Sequence, residues 1–153
     1  MWIVYAFLSA LTAALVAIFA KLGLKNIDST LATAVRAVIM GFFLVSVAFA
    51  FRKFDGFSFA SFTGKEWILI ILSGIAGALS WLFYFFALKT GTASQVVAID
   101  KLSVVMVVIL AAIFLGEAFT WRVAVGATLM TIGAIFLTLN DGAWQSMLAF
   151  FKK

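Results

Sequence analysis

The chain of 153 residues is 66% hydrophobic and 11% charged, with a mean hydropathy of +1.23, which excludes an ordinary soluble domain and makes lipid the solvent. Cys and His are both absent, so disulfides, thiol nucleophiles, haem ligation by His and the usual zinc sites are excluded together. The net charge of +5 is spread over loops and ends without a basic block, and reads as membrane-flanking charge instead of a nucleic-acid surface.

A hydrocarbon core of about 30 Å needs about 20 helical residues, and backbone groups in lipid must be satisfied within the segment. Five apolar runs meet that length, over 2–20, 31–51, 67–88, 94–115 and 122–139. The expected fold is all-α: a polytopic membrane protein of five transmembrane helices forming one domain. The first run has no basic n-region and no convincing cleavage site, and is read as a retained helix.

The second run carries Arg36 within Thr33-Ala34-Val35-Arg36-Ala37-Val38. In the third, Ser73, Gly77, Ser80, Trp81 and Tyr84 recur at spacings of three and four and share one face. Such a wall holds an organic solute by stacking and hydrogen bonding, or packs another helix; for Gly74 and Gly77 close packing is the favoured reading. Trp2, Trp67 and Trp121 begin the odd-numbered runs at headgroup level, and Trp81 lies at depth.

The fourth run contains Asp100 and Lys101. Started after Lys101 it is only about 21 Å long, so it must begin near Ala93 or Ser94, which draws both charges into the membrane. Each such charge costs about 2.5 to 3.5 kcal/mol at a helix centre. Partners are therefore expected. Arg36 and Asp100 enter their helices from the same face and to similar depth, so they are expected to pair. Lys101 stands about 100° from Asp100 around the helix and is expected to turn to another wall or to water. The alternative is that these charges lock the bundle or snorkel; intramembrane ionisable groups usually face a cavity or pathway, which favours function.

The fifth run is followed by 141–153, where Trp144, Phe150 and Phe151 precede Lys152 and Lys153, a short interfacial segment. Arg52, Lys53, Lys65 and Arg122 flank the N-terminal face, against Lys21, Lys25, Lys89, Lys152 and Lys153 on the other. That balance does not fix an orientation, and dual insertion is one expectation.

Leu31-Ala32-Thr33-Ala34-Val35-Arg36, Leu79-Ser80-Trp81-Leu82-Phe83-Tyr84 continuing to Lys89, Gly91-Thr92-Ala93-Ser94, Ile99-Asp100-Lys101-Leu102-Ser103 and Leu115-Gly116-Glu117 follow in this order. Together they resemble the EamA-type, five-helix bacterial and archaeal branch of the drug/metabolite transporter superfamily. The pattern departs at Thr92 and at Val97 or Ala98, where the family has proline, and in lacking a Trp-Gly pair in the first helix.

The resemblance implies one half of an inverted-repeat transporter fold. It implies a secondary carrier of a small organic solute across the cytoplasmic membrane by alternating access, as a homodimer, possibly antiparallel. Arg36, Asp100 and Lys101 match motif positions. Asp100 is then the candidate for proton or cation coupling, Trp81, Tyr84 and Ser80 for solute contact, and Lys101 or Arg36 for an anionic group. No cofactor or metal is implied, and no nucleophile–base pair or phosphate loop suggests an enzyme. Alternatives are a non-transporting assembly subunit, a lipid-linked sugar flippase subunit, or a small multidrug resistance type cation exporter. The last would need an acid in the first helix, which has none.

Overall fold

The computed structural model describes residues 1–58 and 61–139, so the segment expected over 141–153 lies outside the described residues. Secondary structure among the described residues is helical throughout, and five stretches are long and apolar enough to cross a membrane: Trp2–Gly23, Ser29–Ala50, Gly64–Thr90, Ala93–Phe114 and Trp121–Thr138. Large apolar side chains are mostly outside, with Phe42 77% and Phe114 78% exposed, as expected of helices whose solvent is hydrocarbon. Backbone packing divides the chain into two compact units, Met1–Thr90 and Gly91–Lys153.

In the first unit α1 (Trp2–Gly23), α2 (Ser29–Ala50) and α3 (Gly64–Thr90) are joined by packing of α3 against both others. Helix starts are set by side chains that satisfy orphan N–H groups. Asp28 accepts from Thr30 N and Leu31 N and starts α2 two residues before the expected boundary. Thr63 and Glu66 form a reciprocal capping box, at 2.7 Å from Thr63 N to Glu66 Oε2 and 3.4 Å from Glu66 N to Thr63 Oγ1, which starts α3 three residues early. At the other end of α3, Lys21 Nζ donates to Leu88 O at 2.6 Å. A cation thus lies on the negative end of the helix dipole, beside a Leu88 side chain with no exposed surface.

The second unit contains α4 (Ala93–Asp100), α5 (Ser103–Phe114) and α6 (Trp121–Thr138), with α6 packed against both α4 and α5. Thr92 caps α4 and Thr120 caps α6. Gly116, at φ +66°, ends α5 in the left-handed conformation that glycine adopts without steric cost. Ala93–Phe114 has the full length of a span, so the fourth span does begin before Asp100. It is not the single helix expected over 94–115, however. At its interruption Leu102 N–H donates to Ile99 O (2.9 Å), Val104 N–H to Lys101 O (3.1 Å) and Val105 N–H to Leu102 O (3.0 Å). The i→i+4 ladder gives way to a tighter i→i+3 turn at the Asp100-Lys101-Leu102-Ser103 step. Polar side chains, not proline, mark the break.

Candidate functional site

Arg36 is the eighth residue of α2, about 11 Å along its axis from the first, within a helix long and apolar enough to span a membrane. Its guanidinium carbon lies over Trp81 of α3, 3.6 Å from the ring centroid, and 5.3 Å from the centroid of Phe85. Trp81 is itself met edge-on by Tyr84 at 5.5 Å and by Phe85 at 6.0 Å. Trp81 and Phe85 lie four apart on one helix and so stack along the same stripe, while Phe85, only 3% exposed, fixes the cluster from behind. A desolvated cation over an indole is stabilised by about 2 kcal/mol or more. The aromatic face therefore offsets part of the cost of placing Arg36 at this depth.

Beside this cluster runs a groove of about 570 Å³, lined from α2 by Thr33, Arg36 and Met40 and from α3 by Ser73, Gly77 and Trp81. Gly74 and Gly77 open onto it, and a Cβ at either would meet nothing within 4 Å. Within the chain these glycines widen a groove, and no other helix of their unit packs closely on them. A second groove of about 530 Å³, between α1 and α2, also reaches Arg36 and Phe85. Arg36 thus stands on the wall of both.

Of the expected third-helix face, Trp81 and Tyr84 come together with Arg36. Ser80 is exposed, and neither it nor Tyr84 lines the groove. Phe85, which polarity-based reading passes over, belongs to the cluster; its spacing from Trp81 was the available signal. The acids of this unit are Asp28, Asp55 and Glu66, all at or beyond helix ends, and Arg36 forms no ion pair among the described residues of its unit. At the helix start, backbone N–H bonds, foremost from Leu31, hold the Asp28 carboxyl below its usual range against a smaller opposing effect of burial, and Lys89 adds to the lowering.

In the second unit Asp100 ends α4 and Lys101 is its C-cap. Lys101 Nζ lies 3.5 Å from Asp100 Oδ2, so these neighbours do engage. The expectation that Lys101 turns away assumed a helix continuing through both residues. Because the helix ends here, the 100° separation no longer keeps the side chains apart. Both remain substantially exposed.

Fold and site together define a multi-pass α-helical membrane protein that holds charge at depth beside an aromatic-walled groove. Residues 1–139 match the EamA-like transporter family. The chain is also 39% identical over 138 residues, 90% of its own length and 96% of the relative's, to a protein of Sinorhizobium sp. described as an uncharacterized transporter in cobO 3'region. It belongs to the EamA-like transporter family, which makes it a membrane transporter. No solved structure matches it significantly.

Proposed function

We propose that this transporter is a secondary carrier of a small organic solute in the cytoplasmic membrane, working by alternating access as a homodimer. The observation that carries the reading is the Arg36–Trp81 stack on the wall of a groove of about 570 Å³, a volume within the range of small-molecule sites. Holding a permanent charge at that depth is costly, and such groups generally mark solute or ion pathways. The interrupted fourth span supports the same reading, since broken helices at carrier sites let polar groups reach a central cavity. The Sinorhizobium relative, matched over 96% of its length, is also described as a transporter. Balanced basic residues on the two faces suit a dimer assembled from oppositely inserted copies.

In this carrier Trp81 stacks against the solute with Tyr84 edge-on beside it, Arg36 attracts the solute, and Asp100, at the end of α4, carries the coupling proton. The test is solute uptake into proteoliposomes with and without an imposed proton gradient. Asp100→Asn is expected to remove gradient-driven accumulation, about tenfold or more, equivalent to about 1.4 kcal/mol, while leaving solute exchange at equal pH. Loss of neither activity would return Asp100 to a structural role. Absence of any saturable uptake by the wild type would return the chain to an assembly function.

A further inference from the structure

We infer that the groove between α2 and α3 takes an organic monocarboxylate with an apolar body, read by the in-plane N–H fork of Arg36; the inference rests on the carrier reading of this same groove. The argument is one of charge and geometry. Asp100 already has Lys101 at 3.5 Å, so within the second unit these two charges offset each other. Arg36 has aromatic neighbours in its unit and no carboxylate. Among the described residues of its own unit, the positive charge of Arg36 thus has no carboxylate beside it, and a single negative charge on the solute offsets it.

Trp81 meets the guanidinium with Cζ 3.6 Å from the ring centroid, and no acid among the described residues of the unit engages the guanidinium edge. That edge carries five N–H donors in a plane, and a carboxylate accepts two of them in parallel, a geometry an ammonium cannot offer. Indole and fork act on different parts of the same group, so Trp81 orients the fork while the fork binds. A doubly charged phosphate ester would leave one negative charge unoffset in a low dielectric, and a cation would meet Arg36 as a like charge. Beyond the fork the walls are mostly apolar, with Met40, Leu44, Leu82 and the open faces of Gly74 and Gly77, and carry the hydroxyls of Thr30, Thr33 and Ser73. The permanently charged Arg36 also makes the anion preference independent of pH over the range in which carboxylates are ionised.

The chain has three arginines, Arg36, Arg52 and Arg122, so arginine modification of the wild-type protein reports on the site with two internal references. Purified protein is treated with phenylglyoxal in the presence of benzoate, benzamide, benzylammonium or phenyl phosphate, and labelling of each arginine is followed by peptide mass spectrometry. Benzoate at millimolar concentration is expected to slow labelling of Arg36 at least about fivefold, a scale of about 1 kcal/mol, and to leave Arg52 and Arg122 unchanged; the other three probes are expected to leave all three arginines unchanged. Equal protection by benzamide, stronger protection by benzylammonium or by phenyl phosphate, or protection by no probe would each overturn the inference. Counterflow of labelled benzoate in proteoliposomes separates the two readings. Protection at Arg36 without counterflow keeps the carboxylate site and removes the carrier. Counterflow of benzylammonium with no protection by benzoate removes the carboxylate site and keeps the carrier.

Discussion

The two compact units carry intramembrane charge in opposite ways. In Met1–Thr90, Arg36 is embedded in a continuous helix of 22 residues and is stabilised from a second helix by Trp81. In Gly91–Lys153, Asp100 and Lys101 lie where the helix itself stops, and each is the other's partner at 3.5 Å. A charge within an intact helix keeps every backbone bond and must find its compensation elsewhere, from an aromatic face or from a ligand. A charge at a break has a local partner, but the backbone loses regular bonding around it. The first arrangement suits recognition, because the group is held rigidly with its fork available. The second suits movement, because a tightened turn between two short helices is where a span bends most easily.

Proline substitution breaks this comparison most directly. Ala37→Pro, beside Arg36, removes an intrahelical bond and collides with the preceding turn, at a cost of about 3 kcal/mol or more. Ser103→Pro falls at the first residue of α5, where it removes no intrahelical bond but crowds Leu102, which holds helical dihedrals, and is therefore expected to cost less than Ala37→Pro. Thermal unfolding in one detergent gives both values. Equal costs would mean that the fourth span behaves as one helix and that the contrast between the units does not hold.

The spans were legible because their lengths follow from bilayer thickness alone, and each expected run lies within a few residues of an observed one. Their starts were less so. Hydropathy places the beginning of the third run at 67, whereas the Thr63–Glu66 box begins α3 at Gly64; that signal is present in the sequence but is polar, and a search for apolar runs passes over it. The break at Leu102 was hidden for the opposite reason. Asp100, Lys101 and Ser103 were visible as a cost to insertion, but whether a helix absorbs or interrupts at such a cluster depends on packing against α6. For Arg36 the depth was readable and the neighbour in its unit was not. Trp81 is distant in sequence, and helical periodicity identifies a shared face without saying which residue of another helix covers it.

A smaller effect is expected from the aromatic side of the site. Trp81→Leu keeps an apolar side chain against α2 and removes the quadrupole under Arg36, a loss of about 0.5 to 2 kcal/mol. The apparent KM for transport should rise by roughly two- to thirtyfold, since a tenfold change is about 1.4 kcal/mol, with maximal rate little altered. Trp81→Phe should fall between the two, because the smaller ring retains part of the attraction. A drop in maximal rate at constant KM would place Trp81 in the conformational step and not in recognition.

The smallest effect sharpens the comparison from the helix start. Asp28 caps α2 through Thr30 N and Leu31 N, and those bonds lower its carboxyl below the ordinary value. A folded-state pKa below the unfolded one adds stability that is fully present above the unfolded value and is lost as pH falls through the folded one. Asp28→Ala should therefore unfold at lower temperature than wild type at neutral pH. The gap should narrow only below about pH 4, where free aspartate begins to protonate, and not close fully, since a protonated carboxyl still accepts a hydrogen bond. Asp28→Asn, which keeps the acceptor without the charge, should give a pH-independent value between the two. If Asn matches Ala, the N–H bonds contribute nothing beyond charge near the helix dipole and Lys89. If Asn matches wild type at neutral pH, the cap is geometric and the charge is incidental. Only in the second outcome do the cap's hydrogen bonds themselves fix the start of α2, and with it the position of Arg36, the eighth residue of that helix.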